Sequence, residues 1–456
     1  MLYRKIEAEI EDFLKSADDK ILVLEGARQV GKSFIIRKVG THLYKNFVEI
    51  NFAEDDEGPR LFKNIHSTKD FYFTVSMIAG EKLDTYEDTL IFLDEIQHYP
   101  QYLTMLKFFR QERRYRFIAS GSLLGIALRS TTSIPIGSIL PKRMYQLDFE
   151  EFLVANGVSP TALYDIRSKF NRSEPLSEEL HNYVMKLFRR YLVVGGLPDV
   201  VNIYLETHNI VKVREVQSSI VQMYKDDASK YEKDAASHLH IGRIYEMIPS
   251  QMENKKKRIV AKDIQGVKGD RFDRYQSDFE YLISSGITLP AHAVSNPKFP
   301  LNESLQKNLL KLYLNDVGLL TMMLFKNNVS GILEDLASIN LGSVYESVVA
   351  QELAAHNHQL YYYDNRHNGE VDFLVNDYAN LSILPIEVKS GKDYTIHSAL
   401  NRLLSVPDYH VKYAWVLSNE REIKTIGNIV YLPIYFTMFL DANSVSSSDG
   451  DDWSTF

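Results

Sequence analysis

The chain has no cysteine among its 456 residues. That excludes disulfides, thiolate metal sites and cysteine nucleophiles, and it agrees with a reducing compartment. Unbroken apolar runs long enough to cross a bilayer are also missing, and Met1-Leu2-Tyr3-Arg4-Lys5 leads into no signal-peptide core. The expectation is a cytoplasmic protein without a membrane partner. An excess of positive charge is lacking as well: the net charge is −8, so any nucleic-acid surface must be local. There is no internal repeat. What remains is a globular composition, 45% hydrophobic and 25% charged, at a length that implies about two to four domains.

Against that background one segment stands out. Gly26-Ala27-Arg28-Gln29-Val30-Gly31-Lys32-Ser33 is a complete phosphate-binding loop. It follows the apolar run Ile21–Glu25, which reads as a buried parallel strand, and precedes Phe34–Val39, which reads as the opening of a helix. That strand–loop–helix context is what the motif needs. Gly26 and Gly31 let the backbone wrap so that its N–H groups face phosphate oxygens, and the helix N-terminus adds its partial positive charge. Lys32 can reach the β- and γ-phosphates of ATP, and the Ser33 hydroxyl is placed to ligate magnesium. A glycine turn without a ligand is a weak competitor here.

A second apolar run, Thr89–Leu93, ends in Asp94-Glu95. Asp94 at a strand tip can support the metal ion, and Glu95 can polarise the attacking water, which makes Glu95 and Lys32 the candidate catalytic residues. A third strand, Tyr115–Ala119, ends in Ser120-Gly121-Ser122. Ser120 or Ser122 can sense the γ-phosphate, although a plain turn explains them about as well.

The strands expected at 21–25, 46–52, 89–93, 115–119 and 143–147 alternate with helical stretches, which predicts a parallel sheet covered by helices. An amphipathic helix over 4–15, with Ile6, Ile10, Phe13 and Leu14 on one side, precedes them. After residue 150 the pattern is helical to about 235, broken by Gly195-Gly196-Leu197-Pro198, a breaker that also suits a lid packed on an adenine ring. Three helical segments at 241–248, 260–264 and 272–285, then an extended one, match the order of a winged helix. The adjacent run Lys255-Lys256-Lys257-Arg258 reads first as a solvated surface. The acids Asp270, Asp273, Asp278 and Glu280 weaken a DNA-reading role, so this module reads as a packing or regulatory element.

Near the C-terminus the style changes to a helix, Ser343–Leu353, and strands at 359–363, 370–375, 383–388 and 412–417. Glu387 and Lys389 are two apart on one strand and share a face. Asp372 lies on the strand before, and Glu346 on the preceding helix supplies another acid. Carboxylates on neighbouring strands can hold a hard divalent ion, and the lysine can orient water against a phosphodiester. The plain alternative is an ion pair that guards a sheet edge.

These last residues resemble the PD-(D/E)xK endonuclease core, with Val371 in place of the proline of the motif's name. The whole chain resembles prokaryotic AAA+ ATPases in which a P-loop domain precedes a C-terminal domain of unknown function. The matching segments run from GARQVGKS at 26, IFLDEIQ at 91 and ASGSLLG at 119 through LDFEEFL at 147 and GGLPDVV at 195. They continue with KLYLNDVGLL at 311, GSVYESVVAQEL at 342, EVDFLV at 370 and IEVKSG at 386. The resemblance implies an α/β fold with an AAA+-like P-loop NTPase domain at 1–155 and a helical lid at 156–235. A winged-helix-like module at 236–330, a restriction-endonuclease-like α/β domain at 331–440 and a disordered tail at 441–456 would follow. It implies ATP and magnesium as cofactors, nucleotide contacts from residues 26–33, Phe34 and Pro198, and an arginine finger open between Arg129 and Arg143. It leaves open a second divalent metal in the C-terminal domain, a DNA or a protein partner, and a homo-oligomer. Cleavage by the C-terminal domain is expected to be absent or slow.

Overall fold

The computed structural model describes residues 1–123, 137–231, 235–254, 257–266, 271–334, 340–365, 367–391 and 393–442. Arg129, Lys255, Lys256, Asp270 and the tail from 443 onward lie outside the described residues.

The first sheet holds β1 (Ile21–Glu25), β2 (Asn46–Asn51), β3 (Thr89–Asp94), β4 (Arg116–Gly121) and β5 (Ile139–Arg143), in the order β2-β3-β4-β1-β5. All its pairings are parallel. Such a sheet is buried on both faces, so its strands are apolar throughout rather than alternating. In β1, Ile21 and Val23 join the core that contains Val48, Phe71 and Phe109, while Leu22 and Leu24 join the opposite one with Val39 and Phe92. The expected strand at 143–147 is displaced to 139–143. Pro141 lies within β5, which is a sheet edge, where one side of the backbone needs no ladder partner and proline is tolerated.

The helices α1 (Lys5–Lys15), α2 (Lys32–Leu43), α3 (Phe52–Glu57), α4 (Thr68–Ala79) and α5 (Gln101–Glu112) accompany this sheet. Ile6, Ile10 and Leu14 form the buried stripe of α1. The helical region follows as α6 (Phe149–Ala155), α7 (Pro160–Asn171), α8 (Glu178–Val194), α9 (Pro198–Thr207), α10 (Ile210–Tyr231) and α11 (Ala235–Glu253). A capping box opens α6: Asp148 Oδ1 accepts from the Glu151 amide at 2.8 Å, and Glu151 Oε2 accepts from the Asp148 amide at 3.3 Å.

After α12 (Ala261–Gln265) and α13 (Gln276–Ser284), β6 (Thr288–Val294) and β7 (Leu305–Leu314) form an antiparallel hairpin. β6 also pairs in parallel with β8 (Leu360–Asn365), so the hairpin extends the C-terminal sheet. Helices α14 (Val317–Phe325) and α15 (Gly342–Ala355) lie between them in sequence. The sheet continues through β9 (Gly369–Asp377), β10 (Ser382–Val388), β11 (Ala414–Ser418), β12 (Lys424–Ile426) and β13 (Ile429–Pro433), in the order β12-β13-β11-β10-β9-β8-β6-β7. One apolar cluster runs from Ile6 and Leu24 through Tyr191 and Tyr345 to Phe439. The nucleotide-domain sheet, the helical region and α15 therefore share a core.

Candidate nucleotide site and C-terminal carboxylate cluster

The loop at 26–31 joins β1 to α2 at the C-terminal ends of the parallel strands. Gly31 sits at φ 96°, where a side chain is strained, and a Cβ on Gly26 would collide with the Met144 carbonyl. Lys32 is buried, and its Nζ donates to the carbonyls of Gly26 at 3.0 Å and Ala27 at 2.9 Å, holding the ammonium inside the loop. Burial lowers its pKa, and the nearby Glu95 and Asp94 oppose that.

Parallel pairing aligns the neighbouring strand ends with the loop. Ser33 Oγ donates to Asp94 Oδ2 at 2.7 Å, and Ser120 Oγ, from the end of β4, donates to Asp94 Oδ1. Burial raises the Asp94 pKa, while these two hydroxyls act against the rise. A hydroxyl and a carboxylate side by side are hard oxygen donors, and they fit magnesium. Glu95 follows at φ 52°, a left-handed conformation rare for its residue type, and its Oε2 accepts from Gln97 Nε2. A cleft of 850 Å³ brings Lys32, Ser33, Asp94 and Glu95 to one wall, with Met144 and Pro198 also lining it. Phe34, half exposed, and Gln29 line it too.

The other sequence candidates are placed as follows. Arg28 Nε pairs with Asp227 of α10 at 2.8 Å, and its carbonyl accepts from Tyr224 Oη at 2.9 Å. Ser122 lies 3.4 Å from Gln97 Nε2. Arg143 donates to the Ile283 carbonyl at 3.1 Å, with its guanidinium over the Tyr145 ring. Ala27 and Val30 are buried in the loop.

Two residues around the nucleotide site were missed. Gln97 lies within the quoted IFLDEIQ segment, but only its contact with Glu95 assigns it a task. Arg4 carries no motif at all. Its Nη1 donates to the Val30 carbonyl of the loop at 2.9 Å, its Nη2 to the Tyr145 carbonyl at 2.5 Å, and its Nε to Glu151 Oε2 at 3.0 Å. From the same capping box Asp148 Oδ2 accepts from Lys5 Nζ at 2.6 Å and lies 3.3 Å from His356 Nε2. Glu352, on α15, accepts from the Phe149 amide at 3.0 Å and from Tyr191 Oη at 3.1 Å. Burial, reinforced by the Asp148 charge, pushes Glu352 up to about 8. A chain of polar contacts thus runs from the phosphate loop to α15.

In the C-terminal domain, the four sequence candidates meet. Asp372 Oδ2 accepts from the Val388 amide at 2.9 Å, and Lys389 Nζ donates to Glu387 Oε1 at 2.8 Å. Glu387 is buried with Oε2 unpartnered, and burial plus the Asp372 charge raises its pKa. Glu346, on α15, faces the same cluster, as does Glu370, which sequence reasoning had not singled out: ligand oxygens of Glu346, Glu370 and Asp372 lie within 4.8 Å of one another. Three cationic or phenolic donors enter it. Lys311 Nζ donates to Glu346 Oε1 at 3.1 Å and Glu370 Oε1 at 2.5 Å, Tyr313 Oη donates to Glu346 Oε1 at 2.6 Å, and Lys257 Nζ donates to Glu346 Oε2.

Residues 18–153 match the AAA_14 family, described as an AAA domain. Residues 185–330 match DUF8612 and residues 341–436 match DUF4143, both domains of unknown function. No curated protein matches the chain. Among solved structures it is similar to the Walker-type ATPase PABY2304 of Pyrococcus abyssi, with 12% identity and a TM-score of 0.44 over 71% of this chain and 96% of that one. It is also similar to C. elegans PCH-2, with 10% identity and a TM-score of 0.25 over 39% of this chain and 51% of that one. The parallel sheet and the loop with Lys32 have the form of a P-loop domain, in the part of the chain that the first family model matches. More particularly, residues 18–153 are similar to an AAA domain. No described helix is long and apolar enough to cross a membrane.

Proposed function

We propose that this chain is a magnesium-dependent ATPase whose nucleotide state is transmitted to its C-terminal modules. The observation that carries the reading is the convergence of Lys32, Ser33, Asp94 and Glu95 on one cleft. On nucleotide entry the Lys32 ammonium exchanges the Gly26 and Ala27 carbonyls for β- and γ-phosphate oxygens, and the loop amides face the same phosphates. Ser33 and Asp94 would hold magnesium, whose contribution is to neutralise phosphate charge. Glu95, oriented by Gln97, accepts a proton as water oxygen bonds to the γ-phosphorus and the bond from that phosphorus to the ADP oxygen breaks. Ser120 fixes Asp94 from the other side. Pro198 and Met144 supply apolar surface for the base.

Transmission follows from Arg4. A shift of the Val30 carbonyl is felt by Arg4, then by the Glu151–Asp148 capping box, and then by Glu352 and His356 beside α15. The helices over 235–284 with the β6–β7 hairpin read as a winged-helix-like packing element, because the hairpin is fused to the C-terminal sheet rather than presented to a groove.

Glu95→Gln keeps the side-chain size and the Gln97 contact but cannot take the water proton. It should bind ATP as the native protein does while turnover drops by about a hundredfold or more. Unchanged turnover would move the base elsewhere.

A second reading is favoured by the unpartnered Glu387 oxygen beside Asp372: a nuclease-like site in which Asp372 and Glu387 hold a divalent ion and Lys389 faces water and phosphate. Cleavage of DNA forms by the native protein with magnesium or manganese, lost in Asp372→Asn, would support it. A chain that cuts nothing and binds no metal there leaves Glu387–Lys389 as a structural ion pair.

A further inference from the structure

The carboxylate cluster already contains positive charge of two different origins. Lys311 belongs to β7, is fully buried, and lies over the Tyr362 ring with 4.5 Å from Nζ to the ring centroid. It is part of the sheet. Lys257 comes instead from the turn between α11 and α12, where its backbone adopts φ 43°, and its side chain is partly accessible. It reaches in from outside the C-terminal strands. Its neighbour Arg258 anchors the same turn to Asp364 at 3.3 Å.

Charge counting separates the two lysines. Glu346, Glu370, Asp372 and Glu387 are four carboxylates, and Lys257, Lys311 and Lys389 are three ammonium groups, so with every carboxylate ionised one negative charge would be left over in a buried place. Two features mark where the imbalance falls: the Glu387 oxygen with no partner and the close approach of Asp372 to Glu346. Exchange of Lys257 for a divalent ion would bring four positive charges against four negative ones. It would also free Glu346 Oε2, which Lys257 now occupies, for an ion bridging Glu346, Glu370 and Asp372. Oxygen ligands of this kind suit magnesium, manganese or calcium.

We propose that Lys257 is a removable plug: the Glu346–Glu370–Asp372 cluster accepts a divalent cation only when the Lys257 ammonium withdraws. Lys311 stays in either state, because it has nowhere else to go from the sheet. The turn itself is tied to the sheet, by Arg258 on Asp364 and by the Ile259 amide, which donates to the Leu310 carbonyl at 3.1 Å, so the plug is drawn by the partly accessible Lys257 side chain swinging outward. The inference rests on reading the C-terminal acids as metal ligands, and it adds the group that governs access to them.

Manganese binding by titration calorimetry without nucleotide tests it, on the full chain and on Lys257→Ala, Lys257→Arg and Lys257→Ala/Asp372→Asn. Lys257→Ala should bind manganese at least tenfold more tightly than the native chain at one additional site. Lys257→Arg should stay closed, and the double variant should lose the gain. Should Lys257→Ala not fold, Lys257→Gln keeps most of the stem and removes the charge, and the same gain is expected. Equal binding by native and Lys257→Ala chains, lost with Asp372→Asn, would leave the metal site standing and overturn the plug. Absence of binding in every chain overturns both. A gain that survives Asp372→Asn also overturns the proposal, because the metal would then be elsewhere.

Discussion

Arg4 and Glu151, 147 positions apart, meet through Arg4 Nε and Glu151 Oε2 at 3.0 Å, and the same guanidinium holds the Val30 carbonyl of the phosphate loop. One planar group with fixed N–H directions thereby braces the loop against the capping box of α6. Lysine cannot reproduce a three-way grip of this kind, since its ammonium is a point charge on a flexible stem.

Arg4→Lys should therefore weaken ATP binding about three- to tenfold. Removing the fork also leaves Glu151 partly unpaired in a buried place, at a cost of roughly 3 kcal/mol for full loss of the partner. A fluorescent nucleotide titration, read alongside a thermal melt, distinguishes the two effects. A lower melting temperature with unchanged nucleotide affinity would make Arg4 a purely structural residue.

Lys32→Ala removes the cation that now rests on the Gly26 and Ala27 carbonyls. Loss of a hydrogen bond between charged groups is worth about 1.5–3 kcal/mol, roughly one to two orders of magnitude in affinity. The variant should lose ATP binding to that extent, and a thermal melt run alongside separates lost binding from lost fold. Native-like nucleotide affinity would remove the loop assignment.

How far these sites could be read in advance depends on how local their chemistry is. The phosphate loop, Asp94 and Glu95 were legible because strand, turn and helix signals lie within a few residues of each functional group. The E-x-K strand was legible for the same reason. β5 was not, since Pro141 mimics a break and only its edge position excuses it. Neither was the joint between Arg4, Glu151 and His356, whose members are bound by tertiary packing with no periodicity to betray them. Lys257 was read as one residue of a solvated basic run, and Lys311 only as the first residue of the quoted KLYLNDVGLL segment. Their burial against Glu346 depends on a hairpin joining a sheet whose other strands come later in the chain.

Gly196 tests the turn that carries Pro198 to the cleft. Its amide donates to Asp316 Oδ2 at 2.7 Å, and a Cβ there would land on the Leu147 carbonyl oxygen. The obstacle is backbone, which cannot rotate away as a side chain can. Gly196→Ala should destabilise the protein by about 2–4 kcal/mol, or prevent folding altogether. Chemical denaturation would check this, and a loss under about 0.5 kcal/mol would mean that the turn is far more pliable than its packing implies.

Glu352 offers a test in pH. Its carboxyl has one oxygen bonded to the Phe149 amide and Tyr191 Oη, while the other is buried without a partner, an arrangement that suits the neutral acid. Burial and the Asp148 charge raise it to about 8 from an ordinary value of 4.5. Between those values the native state binds a proton that the unfolded state has released, so this group makes stability fall as pH rises. Its favourable contribution is full below the unfolded value and is lost as pH passes through the folded one. Glu352→Gln fixes the neutral form and removes the titration. Relative to the native chain, the variant should gain stability steadily from pH 5 to pH 9, by up to a few kcal/mol (~1.4 kcal/mol per unit of pKa difference). Denaturant melts at pH 5, 7 and 9 measure the difference directly. A constant offset between the two proteins across that range would show that Glu352 is already ionised in the folded protein, and that the joint to α15 is held by charge rather than by a neutral hydrogen-bonded acid.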